Sequence, residues 1–366
     1  MNLRVNKKDL VDGISIVQKA VSSKSPMPIL ECICLEAKDQ RLILRGSDVE
    51  LSIETSFTTE IAEEGAIAIN SRMLGDIIRK LPNGVITLET AENNTVIISA
   101  EKSVLNLLYM DASEFPVFPT VEDAVTLSLQ QKDLRIMVRR VLFSVAQDDS
   151  RPVLNGMLLE GENGNLNMVG LDGYRMALAT TSIPEVPEVR RVISGKALRD
   201  VLSILTDNDE EVRLVFAENH VLFEMGATKI ISRLLQGEFL KYRNMIPDYH
   251  KLSVILDRQE FFEATERASV LANDGTSNLI KMQFTDNSVV LSSHSKLGKL
   301  REEVYAEMDG EAMELAFNAK YILDILKTIE DEKIVMDLTS ALSPCLIHPE
   351  GSTDSMYLVL PVRISR

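Results

Sequence analysis

The sequence predicts an α+β protein made of three tandem copies of one unit, each with two helices packed on antiparallel sheets. Three observations predict it. At 366 residues the chain is longer than one core sustains, since single cores stop growing beyond roughly 250–300 residues. Helix-period and strand-period segments alternate along it, and the same short patterns return at a fixed interval. The segments SRMLGDIIRKL (71–81), GKALRDVLSIL (195–205) and AKYILDILKTI (319–329) each set an Asp before an apolar pair, and Asp76, Asp200 and Asp324 stand 124 residues apart. So long an interval gives every copy its own core and marks repeated domains, not solenoid modules.

Each copy opens on a helical pattern, at 6–21, 130–146 and 257–272, with Asp9, Asp133 and Glu260 in register at spacings of 124 and 127. Alternating strands and a tight turn follow, in LILRGSDVELSIE (42–54), LNMVGLDGYRMALA (166–179) and VVLSSHSKLGKLREE (289–303). Asp48 and Asp172 are again 124 residues apart. The second helix then presents an apolar side, Leu74, Ile77, Ile78 and Leu81 in the first copy, that must pack on a sheet. A meander closes the unit, VITLETAENNTVIIS (85–99) and VRLVFAENHVLFEM (212–225), with the same AEN turn. The third copy keeps the strand KIVMDL but has a longer turn near Ser343 and Pro344. Proline-containing stretches at 115–123 and 242–253 mark seams, giving domains 1–120, 121–247 and 248–366.

Hydrophobic residues make up 45% of the chain and charged residues 26%, the balance of a soluble globular protein, which excludes disorder. The start, MNLRVNKKDL, has no apolar signal region, and no uncharged apolar run approaches the roughly 18 residues of a membrane span, so a cytoplasmic protein is expected. Cys32, Cys34 and Cys345 fit neither a disulfide framework nor a zinc site and read as reduced packing residues.

The net charge of −16 opposes nucleic-acid binding unless the positive charge is concentrated. It is: the six helical segments sum to +6, leaving −22 elsewhere. Helices sharing one surface would lay a positive stripe on an acidic body and attract phosphate without reading sequence.

Catalysis finds little support. The chain has no GxxxxGK[ST] phosphate loop, HExxH, GxSxG or CxxC, and His220, His250, His294 and His348 lack ligand spacing. Asp48, Asp172 and Arg175 are the rival catalytic or metal cluster, but Gly and Asp at strand ends are what tight turns require. No catalytic residue, metal or cofactor is expected. A protein-binding scaffold without nucleic acid is the alternative that the negative charge favours.

MPILECICLEA (27–37), RGSDVELSIE (45–54), RPVLNGMLLE (151–160), GLDGYRMAL (170–178), GEFLKYRNMIP (237–247) and MYLVLPVR (356–363) carry a resemblance over essentially the whole chain. In order and spacing the chain resembles the β sliding clamp family, the β subunit of bacterial DNA polymerase III. The resemblance implies three copies of the DNA-clamp fold per chain and a head-to-tail homodimer. The resulting six-domain ring would encircle duplex DNA, helices inward, and confer processivity on the replicative polymerase catalytic subunit. A separate clamp-loader ATPase, other proteins carrying clamp-binding motifs and association with the nucleoid during replication are implied as well.

Carried over by position, the resemblance implies DNA contacts at Lys24, Arg72, Arg79, Lys80 and Lys196, and a dimer interface at Leu105 and Leu107 with Val270 and Leu271. It implies a peptide pocket of Arg151, Leu154, Leu171, Gly173, Tyr174, Arg175 and Met176, with Leu240, Asn244 and Met245. Pro344 and the run Leu358, Val359, Leu360, Pro361, Val362 and Arg363 complete it. Leu240 stands where the family commonly has Pro and Tyr174 where His is frequent, and Ile364, Ser365 and Arg366 run past the usual end.

Overall fold

A computed structural model of the chain describes residues 1–22, 24–121, 125–147, 151–272, 278–285 and 287–363. The extension 364–366 and part of the 115–123 seam lie outside them. Six α-helices are described: α1 Lys7–Val17, α2 Ser71–Lys80, α3 Gln131–Val141, α4 Gly195–Leu202, α5 Arg258–Ala272 and α6 Ala319–Leu326. The strands are antiparallel throughout the described pairings, as the α+β expectation required. Asn6, Asn70 and Asn318 cap α1, α2 and α6 by accepting from backbone N–H groups of the first turn. The helical patterns at 6–21 and 130–146 run on past α1 and α3 as 3-10 turns, Gln18–Ala20 and Leu142–Ser144. Leu74, Ile78 and Leu81 are buried as expected, while Ile77 is half-buried.

By internal contact the chain forms two compact units, Met1–Leu134 with Asp200–Leu234, and Arg135–Arg199 with Leu235–Arg366. In the first, a five-stranded sheet runs Glu60–Glu63, Asn2–Asn6, Val85–Ala91, Thr95–Ala100, Ser103–Leu108, so Ser103–Leu108 is an edge. A second sheet passes from Leu51–Thr58 directly into Thr228–Leu235, with Ile53 opposite Ile230. This pairing explains why strands of the middle repeat join the first unit. In the second unit Arg175–Ser182 pairs with Ser355–Val359 in the equivalent way, Ala177 opposite Tyr357.

The repeat is visible as backbone geometry. Asp48 N–H donates to the Leu51 carbonyl, Asp172 to that of Arg175 and Ser295 to that of Gly298, so three turns share one closure. Asp48 Oδ1 accepts from Glu50 and Leu51 N–H, and Asp172 Oδ1 from Tyr174 and Arg175 N–H, as a turn requires of an Asp. The next position is left-handed in both, Gly173 at φ 89° and Val49 at φ 78°. A β-branched residue there stores about 1–2 kcal/mol that the glycine avoids. Val49→Gly is therefore expected to leave the fold intact and raise stability, read as a higher urea midpoint; a lower midpoint would contradict the strain.

In the C-terminal sheets the strand Lys299–Gly310 serves twice, its first half pairing with Ser288–His294 and its second with Leu252–Asp257. On the far side of Leu252–Asp257, Asp337 accepts from Ser253 Oγ at 2.7 Å and faces His348 Nε2 at 3.5 Å and His250 Nδ1 at 3.7 Å. Its hydrogen-bond partner Asp337 raises His348 above its ordinary 6.5 against opposing burial. Burial pushes the Asp337 carboxyl up, but hydrogen bonding from His348 and Ser253 outweighs this and leaves it lowered. The His348 contribution is complete below about pH 6.5 and lost as pH rises through its raised folded value. That of Asp337 is complete above the ordinary carboxyl range and lost as pH falls. His348→Gln is expected to cost on the order of 1 kcal/mol at pH 5.5 and far less at pH 9, by urea unfolding at both; equal losses would contradict the pairing.

All three cysteines are free and buried. Burial raises the Cys34 thiol to about 11 and pushes Cys345 up as well, which makes both poor nucleophiles.

Candidate functional site

The expected peptide pocket lies within the second unit. Leu154, in the 3-10 turn Pro152–Asn155, joins Leu171, Met176 and Leu358 in one buried cluster with Phe239 and Tyr242, and Leu240 packs against it. Strand pairing builds the floor: Met176 lies opposite Leu358 and Arg175 opposite Val359, while Leu360 N–H donates to the Tyr174 carbonyl at 2.9 Å. Gly173 has open space around it, and its positive φ lets the turn bring Tyr174 to the surface, 61% exposed. Met245, Leu360 and Val362 are exposed apolar groups. Arg151, Asn244, Pro344, Pro361 and Arg363 occupy half-buried to exposed positions outside the buried cluster.

Beneath Tyr174 the structure holds a network the sequence reading did not assemble. Arg175 Nε donates to Asp172 Oδ2 at 3.0 Å, Nη1 to Asp324 Oδ2 at 2.7 Å and Nη2 to the Phe143 carbonyl at 2.7 Å. Its guanidinium lies between the Phe143 and Tyr321 rings, 5.1 and 4.5 Å from their centroids. Tyr321 stacks with Tyr174 at 6.3 Å. Tyr321, Asp324 and Phe143 were thus missed, although Asp324 is the repeat's own aspartate and Tyr321 sits one turn before it on α6. An apolar floor, a stacked aromatic pair and a cation fixed between acids suit an extended apolar segment better than a reacting centre.

Among the basic candidates, Arg72, Arg79 and Lys80 project from α2, Arg72 with its side chain 93% exposed. Arg79 pairs with Asp76 at 2.9 Å and reaches Gln18 Oε1 at 3.3 Å. Arg72 and Arg79 border an open cavity of about 530 Å³ that also includes Gln18, Ser22 and Ser71. Lys24 is exposed, two residues after Ser22, whose hydroxyl donates to its carbonyl. Lys196 is exposed at the start of α4, in the other unit. The cations are long and solvated, able to meet phosphate without fixing its position.

Of the interface candidates, Leu105 is half-buried and Leu107 buried on the edge strand, which exposes Val104 and Leu108 instead. Val270 is 70% exposed near the end of α5, and Leu271 half-buried. Asp48 and Asp172 belong to separate turns of separate units. Among the described residues no group of three or more His, Cys, Asp or Glu is arranged to hold a metal, and no helix is long and apolar enough to cross a membrane.

Three family models match in succession: the DNA polymerase III beta subunit N-terminal domain over residues 1–119, its central domain over 128–241 and its C-terminal domain over 243–363. The chain is 33% identical to the beta sliding clamp of Staphylococcus aureus over 99% of both chains, and 34% identical to that of Bacillus subtilis over 99% of this chain and all of that one. Among solved structures, the DNA polymerase sliding clamp from Bacillus subtilis superposes with a TM-score of 0.96 at 32% identity, covering both chains completely. A Pseudomonas aeruginosa sliding clamp bound to griselimycin gives 0.95 at 29%, also over the full length of both.

Proposed function

Because the chain belongs to the DNA polymerase III beta subunit family, we propose that two copies close head to tail around duplex DNA and tether replication proteins to it. It is a DNA sliding clamp, a non-catalytic accessory subunit. The observation that carries this reading is the match of three domain models in succession, with seams at 119–128 and 241–243, the second a few residues before the expected 247.

The strand pairings support the closure. Leu51–Thr58 meets Thr228–Leu235, and Arg175–Ser182 meets Ser355–Val359, in one shared register. Among the edges left open on one side in the described pairings are Ser103–Leu108 and the first half of Lys299–Gly310. Carrying that register onto them sets Leu300 opposite Leu105 of a second copy. Unpaired edges favour such addition, and a heterologous contact that closes makes a ring. Leu105→Asp is expected to weaken association at least tenfold by sedimentation velocity; unchanged association would remove this edge from the interface.

Lys24, Arg72, Arg79, Lys80 and Lys196 then serve as mobile phosphate contacts, and the cleft under Tyr174 takes the apolar motif of the polymerase and of other partners. Holding a polymerase there raises its effective concentration at the primer end. Loading requires a separate ATPase, and the protein acts in the cytoplasm, at the nucleoid during replication.

The test is retention on nicked circular plasmid, with the cognate loader and ATP, before and after the plasmid is cut. Retention on the circle and release on cutting are expected. Equal retention on both forms, or none on either, would overturn the tether and favour a scaffold without DNA.

A further inference from the structure

The three repeated turns allow position-by-position comparison of the central and C-terminal domains. Leu171, Met176 and Leu178 stand around the turn Asp172–Arg175 as His294, Lys299 and Arg301 stand around Ser295–Gly298. Leu158 pairs with Val169 as Lys281 pairs with Ser292. The four central-domain residues belong to one buried apolar cluster. Their counterparts border an open cavity of about 560 Å³ that three cations surround. A second copy of the docking framework has thus kept its backbone and exchanged its chemistry.

The cations have a definite spacing. Lys299 and Arg301 are two residues apart on one strand face, about 7 Å at the usual strand rise. Lys281 lies two strands in, about 10 Å from that strand. Alternate side chains of an extended peptide have the same spacing of about 7 Å, so successive carboxylates can meet both cations at once. Among the described residues the carboxylates paired with these cations are exposed: Glu314 sits 2.9 Å from Lys281 and Glu303 3.5 Å from Arg301, and an incoming acid can displace such partners. On a chain of net charge −16 this concentration of cations stands apart from its surroundings.

We propose that this face of the C-terminal domain docks an extended acidic segment of a partner protein. Carboxylates at alternate positions sit on Lys299 and Arg301, and Lys281 reaches a third. The proposal rests on the docking reading of the central-domain cleft for its framework; Lys299 and Arg301 flank Leu300 on the edge set against a second copy, so the segment lies across their side-chain face and leaves that edge to the copy.

The test uses the full chain and a fluorescein-labelled peptide of alternating Asp and Gly, with an Asn/Gly control, followed by anisotropy at 50 mM NaCl. The Asp peptide is expected to bind at least tenfold more tightly than the control. Lys299→Glu/Arg301→Glu should lose that preference, and Lys281→Glu, away from the sheet edge, should weaken it at least threefold. The charge-matched Arg4→Glu/Arg41→Glu variant should keep it, and thermal melts establish that each variant folds. Binding unchanged in Lys281→Glu and in the edge variant, or lost equally in the charge-matched variant, would overturn the site. Plasmid retention of the same preparations separates the readings, because lost retention with intact Asp-peptide binding contradicts the tether alone.

Discussion

Arg175→Ala is expected to destabilise the protein by about 3–5 kcal/mol, the usual cost of removing one partner of a buried ion pair. The side chain is only 8% exposed, and its removal leaves Asp172 and Asp324, 16% and 22% exposed, facing each other without a cation. It also leaves the Phe143 carbonyl without this donor and opens the space between the Phe143 and Tyr321 rings. Arg175→Lys keeps the charge but not the three-way fork, so it should recover only part of the loss. Binding of an apolar docking peptide should fall at least tenfold in the alanine variant, because Tyr321 no longer has the stacked guanidinium that holds it beside Tyr174. Urea unfolding and peptide anisotropy check both. A stability loss below about 1 kcal/mol would show the network to be no more than a solvated ion pair.

Glu160→Ala should cost about 3 kcal/mol or more for a related reason. Glu160 is 5% exposed and accepts from Arg190, from Arg243 Nη2 at 2.7 Å and from Tyr242 Oη at 2.7 Å. Burial and this hydrogen bond hold the Tyr242 phenol above its ordinary range. Tyr242 and its neighbours carry Leu240, Asn244 and Met245, so the carboxylate pins the segment that supplies one side of the cleft. Glu160→Gln keeps an acceptor for Tyr242 and should cost less than alanine. Equal losses in the two variants would place the effect in packing and not in hydrogen bonding.

Much of the fold was legible because a 124-residue interval leaves helices and turns in register, and period-2 and period-3.6 patterns survive in each copy. The grouping of Leu154, Leu171, Met176 and Leu358 was legible through family resemblance, and the four do share one buried cluster. Arg175's partnership with Asp324 was not, because it spans 149 residues and no local period encodes it. Asp324 entered the sequence reading only as a marker of register. The edge strand shows a different limit: alternation puts Leu105 and Leu107 on one face and Val104 and Leu108 on the other. Which face is covered depends on the sheet's packing. The exchange of Leu158, Leu171, Met176 and Leu178 for Lys281, His294, Lys299 and Arg301 becomes readable only after strand pairing aligns the two domains.

The strand Lys299–Gly310 belongs to two sheets along one uninterrupted backbone. A load applied at its free end therefore travels as tension through covalent bonds into the neighbouring sheet, with no loop between them to act as a hinge. If a second copy joins at that edge as proposed, a force separating the two meets a stiff beam anchored at its far end, and the two sheets that share the strand resist it together.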